Sequence, residues 1–138
     1  MVNPHPRSLK RRALELEASA TRELEYDVAS AALLMFYAAE CSLKHVYMTR
    51  HNLKHTEDER GNARSALSFG HDLIRLVGAL NIPKKIVGGA PKITYRLSGE
   101  RGEVIALHQA WRYGVTVEST DALFGWLRTI TTWCRKNS

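Results

Sequence analysis

Residues 28–43 read VASAALLMFYAAECSL, and Glu40 is the one charged side chain among them. A helix that is apolar on nearly every side belongs in the middle of a bundle, not on its surface. A carboxylate set into such a helix must be paired or hydrogen-bonded, because burying a bare one is very costly. Glu40 therefore calls for a cationic partner. Lys44 is the local candidate, four positions on with the acid first, which is the favourable order for a helical ion pair.

The rest of the chain reads outward from this rod. Asp27 is a good N-cap for it, and the pattern extends to about Arg50. Upstream, Leu9, Ala13, Leu16, Ala20 and Leu24 recur at three- and four-residue steps and predict an amphipathic helix over 6–25. Its basic run, Lys10, Arg11 and Arg12, reads as a solvated face. Residues 51–62, HNLKHTEDERGN, read as an exposed loop or a frayed helical end. Leu73, Leu76, Val77 and Leu80 predict a short third helix over 71–81, with Asp72 in its first turn to suit the dipole and Pro83 after its end. Residues 84–97, KKIVGGAPKITYRL, read as a loop with a short hairpin-like excursion. Residues 98–113 read as a helix carrying Val104, Ile105, Leu107, His108 and Trp111 near one side, closed by Gly114. Ser119 or Thr120 caps a last helix through about Arg135, with Leu123, Phe124, Leu127, Ile130 and Trp133 or Cys134 toward the core. The expectation is one all-α domain of about five helices.

Composition narrows the classes. The 138 residues suit one domain with a sizeable core, and 44% apolar with 25% charged content is ordinary for a globular protein. The apolar run is too short and interrupted for a membrane span, which needs about 20 residues. The N-terminal MVNPHPRSLKRR has no apolar core after its charges, so it does not read as a secretory signal. Cys41 and Cys134 lack metal-type spacing and point to packing roles in a reducing cytoplasm. A net charge of +6 favours a polyanion such as nucleic acid, and equally a protein partner with a negative face. Gly88-Gly89 is not followed by the Lys-Ser/Thr of a phosphate loop, and His51 and His55 stand in a polar loop unsuited to a metal.

Three fragments stand in a telling order: AAECSLKHVY (38–47), GHDLIRLVGAL (70–80) and HQAWRYG (108–114). Together they resemble the HEPN superfamily, in which a long helix carries an Ala-Ala-Glu-x-x-Leu-Lys-like pattern, a shorter one begins with a His-Asp-Leu-like pattern and a later one ends with Arg-Tyr. The resemblance covers about residues 15–130. It implies an up-and-down bundle of four or five helices that pairs with a second copy and works on RNA or nucleotides. It implies no cofactor and no metal. It also implies a setting such as toxin–antitoxin or defence systems, where an acidic nucleotidyltransferase antitoxin would be a fitting partner.

Active members of that family are metal-independent ribonucleases whose signature is an Arg, four to six residues, then a His. Their His serves as general acid or base on the 2′-hydroxyl, and their Arg stabilises the scissile phosphate. The spacing occurs here at Arg50–His55, Arg64–His71 and Arg101–His108. Arg50 and His55 run into the polar loop and read as surface groups. His71 reads as a structural residue at a helix start. Arg101 and His108 lie closest to the family's catalytic position, and seven residues would place them on one helical face. Gly102 and Ala110 depart from the family, which has a polar residue after the Arg and a Tyr two after the His. A binding or assembly role is thus slightly favoured over cleavage. Arg112 is the leading candidate to meet Glu40, since a guanidinium can pair bidentately with a buried carboxylate, and His71 is the second. Arg112 and Tyr113 then hold the later helix against the apolar rod, and the three tryptophans serve the core or a dimer interface.

Overall fold

The computed structural model describes residues 4–88 and 120–138 in full, and the backbone of 93–95, 101–102 and 117–118. The fold is an all-α bundle. Helix α1 spans Pro6–Glu23, α2 Val28–Arg50, α3 Leu73–Ala79, α4 Lys84–Val87 and α5 Thr120–Asn137, with a 3-10 turn at Ala66–Phe69. Three short runs also pair antiparallel: Ile93–Tyr95 lies between Arg101–Gly102 and Val117–Glu118, with Thr94 opposite both Arg101 and Glu118. Of the hairpin-like excursion expected within 84–97, only the strand Ile93–Tyr95 falls in that stretch, its partner Arg101–Gly102 lying beyond it, and the turn at Lys84–Val87 is helical rather than loop.

Helix α2 is the central rod. Ala31, Ala32, Met35, Phe36, Ala38, Ala39 and Leu43 are fully buried along one side, and Leu33, Leu34, Tyr37 and Cys41 around the rest are half-buried. Four of the buried residues are alanines, small enough to let neighbouring helices approach closely. Asp27 caps it as expected, accepting from Ser30 N–H at 3.2 Å and Ser30 Oγ at 2.6 Å. Those two bonds hold the Asp27 carboxyl below its usual range. At the start of α1 the cap is His5, whose Nδ1 accepts from Arg7 N–H at 3.2 Å.

Polar ties fix the helix directions. His45, late in α2, donates from Nδ1 to the Pro6 carbonyl at 2.9 Å, so α1 and α2 run antiparallel. In α5, Thr131 donates to Glu17 at 3.2 Å, Arg135 pairs with the same carboxylate, and Arg128 reaches Thr21 at 3.4 Å. This reversed order sets α5 antiparallel to α1 and parallel to α2. Leu123, Phe124, Leu127 and Ile130 face the core as expected, and Cys134 rather than the half-buried Trp133 completes the stripe.

Burial depresses the His45 imidazole below its ordinary 6.5, with nearby Lys10 adding to the effect against the Pro6 hydrogen bond. The unfolded chain therefore takes up this proton more readily than the folded one. The resulting stability is complete above about pH 6.5 and declines as pH falls through the lower folded value. Urea unfolding of the wild type should lose stability between about pH 7 and pH 5 more steeply than that of His45→Gln, which keeps a neutral donor there.

Candidate functional site

The carboxylate of Glu40 is held at the joint between α2 and the start of α3. Its side chain is 13% exposed, and each oxygen has its own partner. Oε1 meets His71 Nδ1 at 2.6 Å, and Oε2 accepts from Lys44 Nζ at 3.2 Å. An ionised carboxylate can only accept, so His71 carries its proton on Nδ1. The Lys44 side chain is 11% exposed, which makes this a nearly dry pair, while His71 is 45% exposed and leads from the pair to the surface. The Tyr37 ring stands edge-on to the His71 imidazole at 6.4 Å.

Local sequence explains how His71 arrives there. Ser65 caps the 3-10 turn at Ala66–Phe69 by accepting from Ser68 N–H at 3.2 Å. Asp72 is the N-cap of α3, accepting from Arg75 N–H at 3.1 Å, so the helix begins at Leu73 and not at 71 as its apolar spacing indicated. His71 is left just outside the helix, free of its hydrogen-bond ladder and turned to α2. Of the two cationic partners sought beyond the local Lys44, His71 is in place, and Arg112 with Tyr113 lies outside the described residues.

Arg101 and Gly102 are extended and paired with Thr94 and Ile93, not helical as their surroundings had indicated. His108 lies outside the described residues. Arg50 is not the plain surface group its position implied. Its guanidinium donates to the Leu80 carbonyl at 3.1 Å and lies 5.2 Å over the Trp133 ring, joining α2, the end of α3 and α5. No spacing rule would have found that contact, which spans 30 residues in one direction and most of the chain in the other.

Both thiols are free. Burial, reinforced by neighbouring Glu40, pushes Cys41 up to about 11, and burial pushes Cys134 up to about 12. Neither is a thiolate near neutral pH, so neither is an activated nucleophile. Among the described residues no three His, Cys, Asp or Glu side chains gather to hold a metal ion. No described helix is long and apolar enough to cross a membrane.

Replacing Glu40 by Gln removes the charge from both contacts and leaves Lys44 buried without a counter-ion. It should cost about 2 kcal/mol in urea unfolding, whereas His71→Ala, at a half-exposed position, should cost about 1 kcal/mol or less. Equal costs would mean that the two cations are not divided as the geometry has them. No protein-family model, curated protein or solved structure matches the chain.

Proposed function

We propose that this chain is an HEPN-like helical module directed to RNA or a nucleotide, paired with a second copy of itself and acting through binding and assembly. The observation that carries this reading is the joint between Glu40 and His71. Two of the three resembling fragments, 38–47 and 70–80, meet there through one 2.6 Å hydrogen bond. The +6 charge adds the attraction to an anion, and an acidic protein such as a nucleotidyltransferase antitoxin is drawn by the same field.

Cleavage by Arg101 and His108 is the alternative, supported by their spacing. Two features weigh against it. A seven-residue step gives a shared face only along a helix, and Arg101 is in a strand. Of the other two histidines with the right spacing, His71 has its Nδ1 committed to Glu40 and His55 stands 3.6 Å from the Asp58 carboxylate.

The test is incubation of the purified protein with single-stranded and transfer RNA in EDTA, together with sedimentation. The expected result is a dimer that binds RNA, more weakly as salt rises, and leaves it intact. Cleavage lost in both His108→Ala and Arg101→Ala would establish the endoribonuclease instead. A monomer that binds neither RNA nor nucleotides would sink both readings.

A further inference from the structure

We propose that single-stranded RNA lies along two adjoining clefts at the C-terminal end of α2, held by Arg7, Lys54, Arg60 and Arg64. This placement rests on the RNA-directed reading and deepens it by naming the surface.

The loop that forms the clefts is polar in sequence but firmly built. Leu53 and Thr56 are 3% and 5% exposed, and Leu67 N–H donates to the Thr56 carbonyl at 2.9 Å. Arg60 and Ala63 exchange backbone hydrogen bonds of 3.1 and 2.9 Å across a tight turn, with Gly61 taking the left-handed conformation at φ 60°. The Tyr47 hydroxyl donates to the Arg64 carbonyl at 2.6 Å and ties the turn to α2. The turn thereby presents Arg60 and Arg64 on either side of itself. Both are exposed, and neither has an ion-pair partner among the described residues.

The first cleft, about 470 Å³, lies between Tyr47, His51, Arg60, Asn62, Arg64 and Phe69. Tyr47 and Phe69 meet edge to face at 5.0 Å, and the exposed His51 ring tilts over Tyr47 at 4.6 Å. The second, about 390 Å³, is bordered by His5, Arg7, His45, Asn52, Lys54 and Arg60. Arg60 belongs to both, so the clefts form one track. Among the described residues no carboxylate borders either cleft. The second also opens at the positive end of the 18-residue α1 dipole, which adds to the attraction for an anion.

Three acids stand in the same loop. Asp58 is occupied by the backbone N–H groups of Lys54 and His55 and by the His55 ring at 3.6 Å. Glu57 has a partner of its own. Glu59 is close enough to Tyr47 to help burial raise its phenol, and is the acid that opposes an anion in the first cleft. Cations interleaved with the imidazoles of His5 and His51 suit alternating phosphates and bases. An acidic peptide has nothing to stack on those rings, and a lone nucleotide fills one cleft only.

The test is fluorescence anisotropy of the full chain with a labelled short oligouridine at about 0.15 M salt. The triple variant Arg7→Ala, Lys54→Ala, Arg60→Ala should bind more weakly by roughly fourfold per cation removed, with a salt slope reduced by about 0.7 for each. Arg64→Ala alone should show the single-cation loss, and Glu59→Gln should tighten binding. A control of equal charge change, Lys84→Ala, Lys85→Ala, Lys136→Ala, should bind as the wild type does. All the replaced side chains are exposed, and melting curves verify that each variant is folded. Wild-type affinity in the triple variant, with loss in the control, overturns this placement and leaves the RNA reading standing. Polyglutamate competing as well as oligouridine assigns the clefts to an acidic peptide and overturns it too. A wild type that binds no RNA removes the placement and the RNA reading together.

Discussion

A carboxylate in an otherwise apolar rod constrains everything around it. Glu40 cannot be dehydrated without partners, and the bundle meets that demand from two directions at once. Lys44 comes from the next turn of the same helix and is itself nearly buried, so the two charges compensate each other within α2. His71 comes from the far side of a loop and fixes where the chain must return. The first contact makes the rod tolerable inside a core, and the second converts a local pair into a tertiary tie.

The same arrangement recurs between α1 and α5. Glu17 is largely covered and is met by both Thr131 and Arg135. Each of the two long helices of the N-terminal hairpin therefore carries one sheltered acid that selects a later segment. Hydrophobic burial supplies most of the driving force but has no direction. The paired acids give the packing its register, because a shift of one turn would leave a charge unpaired inside.

The residues that could be read correctly from sequence were those governed by local rules. Asp27 capped α2, Leu123 to Ile130 turned inward, and the acid-first spacing of Glu40 and Lys44 became a real pair. His71 was legible as the second candidate partner, after Arg112. Other features were hidden because their causes are nonlocal. Arg101 has apolar neighbours at helical intervals, yet ladder pairing with Thr94 decides its backbone, and no local propensity reports that pairing. The loop at 51–62 looked solvated because most of its side chains are polar, while its order comes from Leu53, Thr56 and the Tyr47 hydroxyl beneath it. Arg50 looked like surface decoration for the same reason.

That arginine has a mechanical consequence. Helix α3 is seven residues long, too short to persist as an isolated helix in water, so it exists by virtue of what grips its ends. At one end stands the Asp72 cap beside His71; at the other the Leu80 carbonyl is clasped by a side chain that also rests on Trp133. Release of that clasp would unlatch the segment from its C-terminal side and bare one face of the indole in the same event. The small helix is thus hinged at one end and buckled at the other, a panel whose opening links the fate of α2 to that of α5.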